Sequence, residues 1–253
     1  MRRFFFPRIK NRLLRLKLKK RPLNRFAQMN LHAIDDLNLR KPANNYNYVV
    51  LAIKTTGSDL THDRILSIGA VRIIHSRIYL DQVFNQFVDS ECDLPPEANK
   101  VHSIVPDMVK NAPGGKVLID DFLQFIGDSI LVAHRATFDL HFLNRMMMAK
   151  HGFALQNLVL DTHPLYTDYL MPTIYKPSKQ SSTPNIQDAS EVETESNYFT
   201  LDTLTNMLGI QVYQQNTALG DALATAMIFQ RILSKVEKEG EGKLEDLVKI
   251  GWI

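Results

Sequence analysis

Few residues in this chain of 253 could do chemistry. A lone cysteine, Cys92, excludes an internal disulfide framework and any multi-thiolate zinc site. His141, His151 and His163 lack the spacing of metal ligands, and His134, at a predicted strand end, reads as a hydrogen-bonded structural histidine. Asp139 and Asp221 each stand near the start of a predicted helix, where a carboxylate meets a favourable dipole. That alone is a structural role. Any further chemistry depends on which elements bring these acids together.

The elements follow from periodicity. Apolar alternation predicts strands over Tyr48–Lys54, Arg64–Ile74 and Ile78–Val88, the first closed by Thr55-Thr56-Gly57. Pro95-Pro96-Glu97 and Pro106 each open a short helical piece. Val117–Ile126 has helical spacing. Ile130–Ala133 and Leu158–Leu160 read as short buried strands. Thr137–His151 reads as an amphipathic helix ended by Gly152, followed by a helix over Thr162–Leu170, an ordered stretch over Thr200–Leu208 and a helix over Ala218–Val236. Three early strands followed by alternating helices and strands give a mixed-sheet α/β domain. Residues 172–197 hold three prolines, many Ser and Thr, and few aliphatics, and are expected to form a flexible insertion. The tail, 238–253, is charged and then apolar, with Leu244, Leu247, Val248 and Trp252 available for docking.

The formal net charge of +3 is a sum of opposites. Residues 1–25 carry eleven bases and no acid, so 19 bases face 27 acids in the rest. A basic arm precedes an acidic body. In the arm, Ile9, Leu13 and Leu16 fall on one helical face, which Leu14 and Leu18 widen, until Pro22 ends or kinks it. Three readings stand open: an anionic membrane surface, nucleic acid phosphates, or packing on the body or a protein partner. No apolar run is long enough to span a bilayer. The single cysteine fits a reducing compartment such as the cytoplasm, and the arm allows a peripheral place at the membrane. The expected organisation is an arm (1–25), a connecting segment (26–47), a domain (48–237) and a tail (238–253).

Three blocks resemble the DnaQ-like 3′–5′ exonucleases of the DEDDh type. Val49–Ile73 is similar to a strand ending in D-x-E-T-T-G. Leu131–Arg145 is similar to V-A-H-N-x-x-F-D-x-x-F-L, and Asn216–Ala226 to H-x-A-L-x-D-A-x-A-T-A. Pro95–Asp107 and Leu160-Asp161-Thr162 resemble smaller family features, and a basic arm occurs in a bacterial subgroup. The resemblance implies an α/β, RNase H-like fold, a mixed five-stranded sheet flanked by helices. It also implies two Mg²⁺ or Mn²⁺ ions that clamp the attacking and leaving oxygens of a phosphodiester, and a histidine general base. Thr55, Thr56 and Gly57 would meet the 3′-terminal nucleotide, and nucleic acid 3′ ends are the implied partner.

The chain departs from this pattern where the chemistry is done. The two strand carboxylate positions hold Ala52 and Lys54, and the general-base position holds Asn216. Asp139 and Asp221 remain. Alanine offers no ligand, asparagine takes no proton near neutral pH, and lysine puts an ammonium where a cation would bind. Two carboxylates and one ammonium leave a charge that needs no divalent metal. The expectation is that Lys54 bridges Asp139 and Asp221 as a built-in counterion, while Asp59, Asp63 and Asp161 lie off the site. Three functions compete: an impaired exonuclease domain used in binding or regulation, an active metal-dependent 3′–5′ exonuclease, and a scaffold docked through its arm.

Overall fold

A computed structural model describes residues 11–89, 104–174, 200–214, 216–238, 240 and 242–253. Helix α1 spans 11–18 and α2 spans Arg25–Asn30. The sheet opens with β1 (Asn47–Thr55), β2 (Ile65–Ile74) and β3 (Arg77–Phe87). After α3 (Pro106–Val109) and α4 (Gly115–Ile126) come β4 (Ile130–Ala133), α5 (Ala136–His151), β5 (Val159–Asp161) and α6 (Thr162–Tyr169). Helices α7 (Met171–Ile174), α8 (Leu201–Met207), α9 (Ala218–Lys238) and α10 (Leu244–Gly251) complete the fold.

The five strands lie in the order β3-β2-β1-β4-β5. Strands β1, β2 and β3 form an antiparallel meander, and β4 and β5 add in parallel on the other side of β1. The sheet is therefore mixed, and helices cover both faces. Alternation along β1 sorts its side chains between two cores. Tyr48 and Val50 join Val71, Leu160, Tyr166, Phe229 and Ile232 on the α9 side. Val49, Leu51 and Ile53 join Ile68, Leu118, Phe122 and Phe142 on the α4 and α5 side.

Most predicted elements are present, with ends shifted by a residue or two. The helix expected from Val117 begins at Gly115, and Gly152 ends α5 in a left-handed conformation (φ 77°), as its missing Cβ allows. The helix opened by Pro95 lies outside the described residues, as does the 172–197 insertion apart from Pro172–Ile174, which belong to α7. The tail docks. Leu244 and Leu247 are fully buried, and Trp252 bridges to Leu160 at the sheet edge.

The arm packs one part of its apolar stripe on the body and leaves the other outward. Leu14 and Leu18 pack on the body, whereas Leu13 and Leu16 are 56% and 64% exposed. The two faces are both apolar, so periodicity could not choose between them. An ion pair accompanies the packing of Leu14 and Leu18: Arg15 Nη1 reaches Asp35, and the same nitrogen lies 2.6 Å from His32 Nδ1. Among the described residues, no helix is long and apolar enough to cross a membrane.

Candidate functional site

The site begins with β1. Side chains at even positions point toward α9, so Ala52 and Lys54 share the face of Tyr48 and Val50. Ala52 pairs with Gly69 of β2. A Cβ at Gly69 would stand 2.2 Å from the Ala218 carbonyl carbon, so only glycine lets the first turn of α9 come this close. That approach brings Asp221 to β1. Lys54 Nζ donates to Asp221 Oδ2 at 2.6 Å, with the lysine side chain 9% exposed and the aspartate 25%. Gly69 was not singled out from the sequence. Its signal is a lone glycine inside an otherwise apolar strand.

Asp139 reaches the same strand from the other side. It lies in the first turn of α5, is 7% exposed, and its Oδ1 accepts the Ile53 N–H at 2.9 Å. Burial pushes its carboxyl up to about 7, against the lowering effect of the Ile53 hydrogen bond, and the charges of Asp161 and Asp221 add to the rise. The expected two-sided bridge is thus one-sided. Lys54 pairs with Asp221, and Asp139 is held by backbone instead. The alternation of β1 explains this, since the Lys54 side chain leaves the strand on the α9 face.

Asn216 lies in the turn before α9, exposed and left-handed (φ 64°), a conformation asparagine tolerates. The turn is held by Thr217, whose Oγ1 donates to the Gln214 carbonyl at 2.8 Å and accepts the Gly220 N–H at 3.0 Å. At the end of β1, Thr55 Oγ1 donates to the Gly57 carbonyl at 2.6 Å and Thr56 Oγ1 donates to Asp63 Oδ1 at 2.5 Å. Thr55, Thr56 and Gly57 therefore form one braced turn beside Lys54.

Asp161 is buried next to this cluster but is fully used by the fold. Its Oδ1 accepts the Arg135 and His163 N–H groups, both at 2.9 Å, and its Oδ2 accepts the Ala136 N–H at 3.0 Å. Among the described residues, no three acids, histidines or cysteines converge as metal ligands.

Comparison with known proteins places this arrangement. The RNase_T exonuclease family model matches residues 49–229. A PolC-type DNA polymerase III of Clostridium perfringens is 32% identical over 192 residues, covering 76% of this chain and 12% of that protein. A DNA polymerase III subunit epsilon-like protein of Rhodobacter capsulatus is 33% identical over 202 residues, covering 79% of this chain and 25% of that one. The chain thus spans a quarter or less of these two relatives. Exonuclease X in complex with 5′-overhanging duplex DNA shares the fold at TM-score 0.54 and 18% identity, over 78% of this chain and 98% of that one. E. coli exonuclease I with a dT13 oligonucleotide does so at TM-score 0.58 and 14% identity, over 78% and 43%. The family match over most of the body and the shared fold lead to one conclusion: the chain belongs to the DnaQ-like exonuclease family, with its RNase H-like fold.

Proposed function

We propose that this is an exonuclease-family domain in which an ion pair has taken the place of the two-metal centre, and that it binds nucleic acid 3′ ends without hydrolysing them. The Lys54–Asp221 contact of 2.6 Å carries the reading. Paired hard cations need several converging carboxylate oxygens. Here Ala52 supplies none, Asp221 is neutralised by an ammonium, and one oxygen of Asp139 is occupied by the Ile53 N–H. The residues present do not fit two divalent ions. Asn216, at the position read as the general base, cannot take a proton from water near neutral pH. What remains is the braced turn Thr55-Thr56-Gly57, whose shape does not depend on a metal.

A nuclease assay on single-stranded DNA and RNA, with Mg²⁺ or Mn²⁺, tests this. The natural chain should be silent. A triple variant, Ala52→Asp, Lys54→Glu and Asn216→His, should gain on the order of 10³-fold in hydrolysis, since the base alone supplies about 10²–10⁴-fold. Robust metal-dependent hydrolysis by the natural chain would sink the reading.

The arm supports a second reading, docking on an anionic lipid surface. Arg12, Leu13, Leu16, Lys17, Lys19 and Lys20 are all exposed, so cations flank two outward leucines. Phosphate contacts alone would use the cations and leave the leucines without a role; a lipid interface uses both. Sedimentation with phosphatidylglycerol vesicles, against phosphatidylcholine, is the check. Leu13→Gln with Leu16→Gln should weaken binding by about tenfold. Undiminished binding by that variant would reduce the arm to a general polyanion contact.

A further inference from the structure

We infer that Arg145 is the positioning residue of the turn Thr55-Thr56-Gly57, acting through the loop that joins β1 to β2. The inference rests on the reading that this turn receives nucleic acid 3′ ends. The loop is a self-bonded unit. Asp63 is its hub, taking the Thr56 hydroxyl on Oδ1 and the Asp59 N–H on Oδ2 at 2.8 Å. The Asp59 carboxylate in turn accepts the Thr61 and His62 N–H groups at 2.7 and 3.1 Å. These bonds shape the loop but do not fix it to the body beneath.

A cavity of about 440 Å³ lies beside the C-terminal end of the loop, lined by Asp63, Ile65, Phe142, Arg145 and Met146 among others. Polar contacts from α5 tie the loop to the body. Arg145 Nη1 donates to the Leu60 carbonyl at 2.8 Å and to the Asp63 carbonyl at 2.9 Å. His141, one turn earlier, donates through Nε2 to the same Leu60 carbonyl at 3.0 Å. The Arg145 guanidinium lies 5.6 Å from the centre of the Phe142 ring, which steadies the fork.

A short relay results. Arg145 grips the Asp63 backbone, and the Asp63 carboxylate grips Thr56. Gly57 completes the fit, since a Cβ there would lie 2.5 Å from Asp63 Oδ2. Helix α5 thus carries Asp139 in its first turn and, further along, the residue that sets the turn facing it. The role of Arg145 is indirect, through the Asp63 backbone. Arg145 braces Thr56 and Gly57 on their Asp63 side, while the Thr56 N–H donates to the Arg64 carbonyl at 2.9 Å.

Hydrogen–deuterium exchange of the full chain tests the clamp directly. Arg145→Met should speed exchange of the amides of residues 59–64 by about tenfold, the effect of losing roughly one hydrogen bond's protection, while β1, β4 and the rest of α5 keep their rates. Arg145→Lys keeps a cationic donor and should recover most of that protection. Exchange in 59–64 within about twofold of the natural chain would overturn the inference, as would a rise throughout the domain, which marks a folding role. A separate measurement addresses the reading beneath it. Fluorescence anisotropy in EDTA compares a 5′-labelled dT oligonucleotide ending in a free 3′-hydroxyl with one ending in a 3′-phosphate. The natural chain should prefer the free hydroxyl, and Arg145→Met should lose that preference. No preference in the natural chain sinks the 3′-end reading while the exchange result still decides the clamp. A preference that survives Arg145→Met overturns the positioning role.

Discussion

Asp139 and Asp161 are buried to the same degree, 7% and 8% exposed, at the ends of neighbouring elements, yet the fold uses them very differently. Asp161 ends β5 and caps two helices at once. Helix α5 has no side-chain cap of its own, because its N-cap residue is Arg135 in a left-handed conformation. Parallel pairing sets Asp161 beside Ala133, and its carboxylate takes the Arg135 and Ala136 N–H groups that would otherwise be orphaned. It also caps α6 through His163. Asp139 takes one strand N–H, from Ile53, and burial raises its pKa to about 7. One carboxylate is explained by architecture. The other, raised by burial, costs stability at neutral pH.

Substitutions can break or sharpen this contrast, the largest effect first. Asp161→Ala should destabilise the domain by on the order of 4 kcal/mol in urea unfolding, because three donors lose their acceptor at two helix starts. Asp139→Asn should do the opposite. The carboxyl of Asp139 rises from 3.8 unfolded to about 7 folded. Its contribution is thus fully present below 3.8 and is lost as pH rises through about 7. Asparagine keeps an acceptor for Ile53 without the charge. The variant should gain on the order of 2–4 kcal/mol at pH 8 and almost nothing at pH 4, read from paired unfolding curves. Equal effects at both pH values would mean that Asp139 is structural in the manner of Asp161.

Lys54→Met should cost about 1–2 kcal/mol, since it strips a partly buried aspartate of its counterion. The loss should vanish in the double variant with Asp221→Asn, as a double-mutant cycle would show. The smallest effect belongs to the arm, where Leu13→Gln with Leu16→Gln should shift stability by less than about 0.5 kcal/mol, against about 1–2 kcal/mol for Leu14→Ala.

Much of this was legible in the residues. The alternation of Tyr48–Lys54 and Arg64–Ile74 marks strands that pair in the sheet. The end of α5 follows from Gly152. Other features were not legible, for identifiable reasons. The leucines of α1 fill two adjacent faces, and the inner one is fixed by distant contacts, Leu14 and Leu18 on the core and Arg15 to Asp35, twenty residues away. The capping of α5 is invisible locally because its cap comes from β5. Arg145 looks like an ordinary charge on an amphipathic helix until the loop it grips is in place.

The order of the three family blocks, the replacement of acids by Ala52 and Lys54, and the split between basic arm and acidic body are all determined by the sequence alone, because they are matters of residue type and spacing. What Lys54 does with its charge is a tertiary matter. It depends on the alternation of β1, which turns the side chain toward α9, and on Gly69, whose missing Cβ lets that helix approach. Lys54 and Asp221 are 167 residues apart in the chain, and no local preference spans that distance; the packed sheet and helix bring them within a hydrogen bond.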